Sequence, residues 1–505
     1  MEDIANSENI GCIALDKAVR AYLQTDFGLF IDGRMQPARS DRRIAVFNPA
    51  TGEPIAQVAD ANSADVDAAI VSARAAFESG AWTGLRPADR ERILLKLADT
   101  LEAHGEELAQ IETLNQGKSI NVSRAVEVGA AVEYIRYMAG WATKITGETF
   151  DVSIGFPPGT KYTAYTRKEP VGVVVGIVPW NFPLLIAVWK LIPALAAGCT
   201  IVIKPSPETP LTALRLAQLA IEAGVPPGVF NVVTGGGTCG TALVGHPKVA
   251  KVTFTGSTAT GKLVGTAALQ NMTRFSLELG GKNPAVMLAD VNVEQAVRGA
   301  AMGGFFNQGQ VCAAASRIYV HRSKYRQIAE GLAEAARGMS LGPGLDPSAQ
   351  INPLVSANHR NAVNGHLLRA RTEGARFLAG GESLEAPGYY VKPAVIVDAP
   401  VDAAIVRDEV FGPVLLVVPF DDPHEAIRLA NDSPYGLAAS LWSNDLAAVM
   451  NLVPRIEAGT VWVNCHVPLD PAMPFGGYMH SGIGREFGKY AIEGFLETKS
   501  VCIAH

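Results

Sequence analysis

The sequence predicts an α/β protein made of two doubly wound, Rossmann-like units and a small β hairpin. Three observations carry that expectation. From Val171 to about Leu277, β-branched runs alternate with helical periodicity, as VGVVVGIV, LLIAVWKLIPALAAG, TIVIKP, TALRLAQLAIEAG, VFNVVTG and KVTFTGS. From about Glu278 to Gly494 a second alternation follows, with strand material at SRIYVH, YYVKPAVIVDA, PVLLVVPF, AASLWS and TVWVN. Such alternation builds parallel sheets with helices on both faces. At 505 residues the chain also exceeds what one core supports. One unit is therefore expected from residues 1–148 with 171–277, the second from 278–494, and the hairpin from 149–170 with 495–505.

Taken in order, the N-terminal stretch MEDIANSENIGCIALDK is acidic and has no basic region ahead of an apolar run, so no signal peptide is expected. FIDGRMQPARSDRRIAVFNPATGEPIAQV reads as a β-meander with turns at DGR and NPATGEP. Amphipathic helices follow in SADVDAAIVSARAAFESG and in RPADRERILLKLADTLEAHGEELAQIETLNQG, the latter with proline near its start. Thr149 to Pro170 alternates polar and apolar residues around Pro157-Pro158-Gly159, an exposed hairpin. The tail TKSVCIAH is a strand with no partner nearby in sequence, and it is expected to pair with the hairpin of a neighbouring subunit. A homo-oligomer, dimer or tetramer, follows from that expectation.

The run from Val171 to Pro205 is apolar enough to suggest a membrane span, with Lys190 its only charge before Lys204. Pro179, Pro183 and Pro193, with Asn181 between the first two, instead divide it into strand, turn, helix and strand. It reads as a buried β-α-β unit, apolar on both strand faces, and no membrane partner is expected. Hydrophobic residues make up 48% and charged residues 18%, with 50 glycines, a composition of globular enzymes. The net charge of -6 gives no field to recruit nucleic acid. The six cysteines are scattered, with no CxxC pair and no metal-like spacing to histidine, so no metal and a reduced, cytoplasmic setting are expected.

Two glycine loops follow strands. Gly235-Gly236-Gly237-Thr238-Cys239-Gly240 matches G-x-G-x-x-G but lacks the acidic residue expected about twenty positions on. Gly256 to Gly261 also opens a helix, where backbone amides and Ser257 would meet a pyrophosphate. Together they point to a dinucleotide.

The motifs VPWNFPLL, IKPSPETP, FTGSTATG, LELGGKNP, FFNQGQVCAAASR, EVFGPVL, NDSPYGLAAS, VWVNCH and PFGGYMHSGIGRE occur in an order that resembles the NAD(P)-dependent aldehyde dehydrogenase superfamily from about Phe30 onward. The resemblance implies the aldehyde dehydrogenase fold, in which the first unit binds NAD(P), the second is catalytic and the hairpin is the oligomerisation element. It implies that Cys312 is the nucleophile, in keeping with thiolate chemistry. It further implies that Asn181, with the Cys312 backbone amide, holds the oxyanion, and that Glu278, a carboxylate between two leucines, is the general base for thioester hydrolysis. The remaining cysteines are expected to be structural.

For the cofactor, the resemblance implies Lys204 at the adenosine ribose, Glu409 at the nicotinamide ribose and Phe411 beside the ring. Ile177, Val178, Pro179, Trp180, Phe254, Leu279 and Gly280 line the same groove with Ser206, Gly237, Gly240, Gly256, Ser257 and Gly261. NAD-preferring members often carry glutamate three positions after the lysine, where this chain has Pro207. NAD is the expected cofactor, with NADP open because Lys204 and Ser206 would then accept its 2'-phosphate. The aldehyde tunnel is implied at Phe182, Trp189, Val311, Ala313, Leu469 and Phe475, an apolar tube without charge. The loop VNCHVPLDPAMPFGG is similar to that of phenylacetaldehyde dehydrogenases, so oxidation of an aromatic aldehyde to its acid is expected. Met479 departs from the lysine many members carry. A broad medium-chain or benzaldehyde-type dehydrogenase is the alternative, and a non-catalytic, crystallin-like protein on the same fold is the other class. The joint presence of Cys312, Glu278 and Asn181 argues against the latter.

Overall fold

The computed structural model describes residues 12–384 and 386–505; residues 1–11 of the acidic arm, on which the signal-peptide expectation rests, lie outside them. The first sheet has eight strands, in the order Arg34–Gln36, Leu29–Ile31, Phe230–Val232, Thr200–Lys204, Val173–Ile177, Lys251–Thr255, Arg274–Glu278 and Gly482–Ile483. Its five central strands are parallel. Their spatial order reverses between Val173–Ile177 and Lys251–Thr255, and ligands of such sheets sit outside the carboxyl ends at that crevice. Residues 178–181 and Gly256–Ser257 occupy it.

The sequence explains how tightly this sheet is covered. Helix Pro183–Ala197 is buried over its whole length, starts on a proline at its first turn and ends at Gly198 with φ 97°. It packs so close that a Cβ on Gly176 would lie 3.4 Å from Lys190 Cβ. The expected β-meander is two hairpins: Leu29–Ile31 with Arg34–Gln36, which extends the first sheet, and Arg43–Phe47 with Pro54–Ala59.

The second sheet runs Arg376–Ala379, Ala394–Val397, Val414–Phe420, Ala315–His321, Asn283–Met287, Ala438–Trp442 and Thr460–Val463. All but the first strand are parallel. Gly482–Ile483, from within the span assigned to the second unit, returns to pair with Leu277 and Glu278. The carboxyl ends of the first sheet thus meet the loop that enters Ala315–His321.

One expectation is overturned. The tail strand Leu496–Ala504 pairs with Tyr162–Pro170 of its own chain, in nine antiparallel pairs from Leu496↔Pro170 to Ala504↔Tyr162. Val171 N donates to Phe495 O (3.0 Å), which brings the tail back to the base of the hairpin. Ion pairs Lys499–Glu169 and Arg274–Glu497 fix it there. Thr149–Phe150 completes this third sheet. Among the described residues no helix is long and apolar enough to cross a membrane.

Candidate active site

Cys312 follows helix Val293–Phe305 through a strained turn in which Asn307, Gln308 and Gly309 all have positive φ (48°, 58° and 69°). Left-handed backbone costs roughly 1–2 kcal/mol for each residue bearing a Cβ, so the surroundings must enforce it. They do so through amides. Asn307 Nδ2 donates to Asn181 O (3.0 Å), Asn181 Nδ2 to Gln310 O (3.1 Å), and Val355 N to Gln310 Oε1 (3.0 Å). The cysteine loop and the Asn181 turn are therefore tied to each other.

Beyond the cysteine, Asn283 Nδ2 donates to Cys312 O (2.8 Å) and to Ala314 O (3.0 Å). His466 Nε2 donates to Ala313 O and its Nδ1 accepts from Ser440 Oγ, both at 2.8 Å. Burial pushes this imidazole down to about 4, so it is a neutral strut. Burial, then Glu409 and Glu278, pushes the Cys312 thiol up to about 12. Attack by this sulfur therefore needs a base beside it.

Asn181 is buried, and one Nδ2 hydrogen remains for an oxyanion after its bond to Gln310. Its backbone carbonyl accepts from Lys118 Nζ (2.7 Å), an ammonium 0% exposed that also pairs with Glu127 and lies 4.3 Å over the Phe182 ring. Glu127 Oε2 in turn accepts from Leu185 N (2.9 Å) in the first turn of helix Pro183–Ala197.

Glu278 ends its strand 4% exposed, and neither carboxylate oxygen has a hydrogen-bond partner. Gly476 (φ 151°) makes room for it, since a Cβ there would lie 2.7 Å from Oε1. Burial, then the nearby Glu486, holds its pKa well above the usual carboxyl range, against the opposing charges of Lys190 and Arg485. Lys190 is itself paired with Glu486. A buried acid left without partners is costly, and such groups cluster at reactive sites.

The residues expected to hold a dinucleotide gather at the crevice, and three details fit that group. Lys204 Nζ is buried and donates to Pro205 O and Gly235 O, both at 2.8 Å, which leaves one hydrogen free. A Cβ on Gly240 would lie 3.6 Å from Lys204 Cε, Gly237 is exposed, and helix Thr258–Gln270 opens directly after Gly256 and Ser257. Ser257 Oγ caps that helix by accepting from Thr260 N (3.3 Å). Glu409 Oε1 accepts from Gly281 N (3.0 Å), and only a glycine at 280 admits its carboxylate, 2.1 Å from where a Cβ would be. Burial pushes Glu409 up to about 7. Ile177, Val178, Phe254 and Leu279 are buried around these groups. Trp180 meets Phe411 edge-on (5.3 Å) and His359 (4.8 Å), with His359 Nε2 donating to Phe411 O (2.8 Å).

Pro207 does not leave Lys204 without a carboxylate nearby, because Glu208 acts on it. A turn closed by Thr209 N to Ser206 O (3.1 Å) swings Glu208 back so that its carboxylate accepts from Ser206 Oγ. A carboxylate therefore stands beside Lys204 after all, one residue later than expected.

Of the aldehyde-tunnel candidates, Phe182 stacks on Phe306 (6.2 Å), while Trp189 and Phe475 both pack on Phe487 (4.7 and 6.0 Å). Val311 and Ala313 are buried beside the cysteine, and Leu469 is 39% exposed on its loop. Charge lies directly behind Phe182, in Lys118, although shut away from solvent. Asn283, Asn307, His466, Lys118, Glu127 and Glu486 were missed by sequence reasoning. Only Lys190 gave a signal, as a lone charge in an apolar run.

The chain is similar to known aldehyde dehydrogenases. Residues 36–501 match the model of the aldehyde dehydrogenase family. The chain is 51% identical over 480 residues to a phenylacetaldehyde dehydrogenase of Pseudomonas fluorescens, covering 94% of this chain and 96% of that protein. It is 40% identical over 474 residues to a betaine aldehyde dehydrogenase of Cereibacter sphaeroides, covering 94% and 96%. The structure of the NAD+ complex of an aldehyde dehydrogenase from Bacillus cereus superposes with a TM-score of 0.95 at 44% identity, covering 97% of this chain and 99% of that one.

Proposed function

The chain belongs to the aldehyde dehydrogenase family, and on that premise we propose that it oxidises an apolar arylacetaldehyde to the free carboxylic acid with NAD. The observation that carries the choice of product is the buried, partnerless carboxylate of Glu278 in the same site as Cys312 and Asn181. An acid poised to take a proton suits hydrolysis of a thioester by water.

The residues divide the work as follows. Glu278 takes the thiol proton as the Cys312 sulfur adds to the aldehyde carbon, which offsets the burial that holds this thiol high. Asn181 Nδ2 and the Cys312 amide donate to the resulting oxyanion, and the amide lacing of the turn fixes Asn181 beforehand. NAD, when bound, supplies the two-electron acceptor. The acyl group then rests on Cys312 as a thioester, and Glu278 draws a proton from water as it attacks. Lys204 and Glu409 would hold the two riboses, and Trp180 with Phe411 forms an aromatic wall beside Phe411's neighbour Glu409. Glu208 next to Ser206 favours a 2'-hydroxyl over a 2'-phosphate by charge repulsion.

The apolar side chains of Phe182, Phe475, Val311 and Leu469, with the likeness to a phenylacetaldehyde dehydrogenase, support an aromatic substrate. The six free cysteines support a reduced, cytoplasmic setting. Exposed Phe150, Ile154 and Phe156 on the hairpin and the outer edge of Leu496–Ala504 support assembly into a homo-oligomer.

The test is kcat/KM for phenylacetaldehyde, benzaldehyde, hexanal and acetaldehyde with NAD and with NADP. Phenylacetaldehyde with NAD should rank first, and Cys312→Ala should abolish turnover. Hexanal ahead by more than about tenfold would move the substrate to aliphatic aldehydes, and turnover surviving in Cys312→Ala would sink the mechanism.

A further inference from the structure

The carbonyls of Cys312, Ala313 and Ala314 are all held by side chains. Asn283 Nδ2 donates to those of Cys312 and Ala314 (2.8 and 3.0 Å), and His466 Nε2 donates to that of Ala313 (2.8 Å). Both side chains are fastened in turn to strand Ala438–Trp442: Asn283 Oδ1 accepts from Ala438 N (3.1 Å), and His466 Nδ1 accepts from Ser440 Oγ (2.8 Å). The direction of the histidine chain is fixed at both ends. Trp442 Nε1, which can only donate, serves a lone pair of Ser440 Oγ (2.9 Å), and the Ala313 carbonyl, which can only accept, requires the hydrogen on Nε2. The neutral ring then presents its Nδ1 lone pair to the serine hydroxyl.

Asn283 belongs to a strand, whereas His466 belongs to the segment 463–477 that also carries Leu469 and Phe475. That segment is strained around the histidine. Asn464 and Val467 have φ 57° and 78°, and a β-branched residue rarely occupies that region. Its ends are pinned elsewhere: the Asn464 amide exchanges two hydrogen bonds with the Ser443 backbone (2.9 and 2.8 Å), and Phe475 exchanges two with the Glu486 backbone (both 2.7 Å). Trp462 Nε1 donates to Pro468 O (2.9 Å), with its ring 4.9 Å from the imidazole. Gly303 makes room for the buried histidine, since a Cβ there would lie 3.0 Å from His466 Cδ2. Among the described residues, the bond to Ala313 is the one hydrogen bond that joins this segment to the Cys312 turn.

We propose that His466 is a positioning residue for aldehyde selection: by bonding the Ala313 carbonyl it sets the separation between the Cys312 sulfur and the wall made by Leu469 and Phe475. The proposal deepens the proposed oxidation and rests on it for the roles of Cys312 and that wall. His466 acts through Ala313, not on the aldehyde. An arylacetaldehyde must lean on the wall while its carbonyl meets the sulfur, so it senses the link; acetaldehyde is too short to do so.

Two substitutions separate the hydrogen bond from the bulk of the ring. A glutamine amide reaches the place of Nε2 and can donate to Ala313 O, whereas an asparagine reaches only the place of Nδ1, keeping Ser440 and releasing Ala313. The ratio of kcat/KM for phenylacetaldehyde to that for acetaldehyde should fall at least about tenfold in His466→Asn and stay within about threefold of the wild type in His466→Gln. Such a ratio is independent of how much of each variant folds. An unchanged ratio in His466→Asn, an equal loss for both aldehydes, or the same fall in both variants would overturn the proposal. A second measurement needs no turnover: the rate of Cys312 alkylation by 2-bromoacetophenone relative to iodoacetamide, read by mass spectrometry, should fall in His466→Asn and hold in His466→Gln. If the wild type oxidised no aldehyde while the alkylation ratio still separated the two variants, the positioning role would stand and the catalytic reading would fall.

Discussion

Two buried lysines meet acids on either side of the Asn181 turn and helix Pro183–Ala197, and the molecule uses them differently. Lys118 is enclosed: its ammonium meets Glu127, the Asn181 carbonyl and the Phe182 ring, and Glu127 spends its other oxygen on Leu185 N. Lys190 is committed to Glu486, and the second acid beside it, Glu278, keeps both oxygens bare. Ions that are fully met hold geometry; an acid denied its partner is kept reactive. On the proposed mechanism the same residue types thus serve position in one cluster and chemistry in the other.

The sharpest way to break that contrast is to remove each acid's charge without changing its shape. Glu278→Gln should lower steady-state turnover about 10²–10⁴-fold and slow single-turnover reduction of the cofactor as well, measured by stopped flow, because one carboxylate takes both the thiol proton and the proton of water; a single-turnover phase at the wild-type rate would confine Glu278 to hydrolysis. In the enclosed cluster the damage should fall on stability. Lys118→Met leaves Glu127 buried without its cation and should cost about 3–5 kcal/mol in denaturant unfolding, with part regained in Lys118→Met/Glu127→Leu. A cost below about 1 kcal/mol would mean that this pair positions nothing.

A smaller effect separates the partners of Glu278. Burial dominates its raised pKa, Glu486 adds to it and Lys190 opposes it. A general base works ionised, so the acid limb of the kcat profile follows its pKa. Lys190→Met should move that limb to higher pH and Glu486→Gln to lower pH; movement of both in one direction would show that the pair acts as a unit rather than through opposed charges.

How much of this was legible follows from where the signal sits. The alternation of strands and helices is local, and both sheets and the Cys312, Asn181 and Glu278 motifs could be read directly. Lys190 announced itself as a charge in an apolar run. The Lys118 cluster was hidden because the wide π-helical turn Ser123–Gly129 shifts the helical phase, so that a 3.6-residue period does not carry Glu127 to the core. The tail's pairing joins residues more than three hundred positions apart, and no local pattern reports it. Glu208 reached Ser206 through a turn whose direction the sequence did not disclose.

The smallest expected effect probes the exception within the enclosed cluster. Glu112 is 0% exposed, 4.0 Å from Lys118, and its oxygens find no hydrogen-bond partner. Burial, then Glu127, pushes it up to about 8, with Lys118 opposing. In the unfolded chain a glutamate titrates near 4.3, so between the two values the folded state holds a proton that the unfolded state has released. Stability from this group is complete below the unfolded value and is lost as pH rises toward 8. Glu112→Gln keeps the shape and removes the titration. The melting temperature of the variant minus that of the wild type should therefore grow steadily from pH 5.5 to pH 8, a difference in which every other titrating group cancels. A flat difference would mean that Glu112 is ionised in the folded protein and shares Lys118 with Glu127. The cluster would then balance one cation against two anions, and the distinction between satisfied and withheld charge would have to be drawn at Glu112 as well as at Glu278.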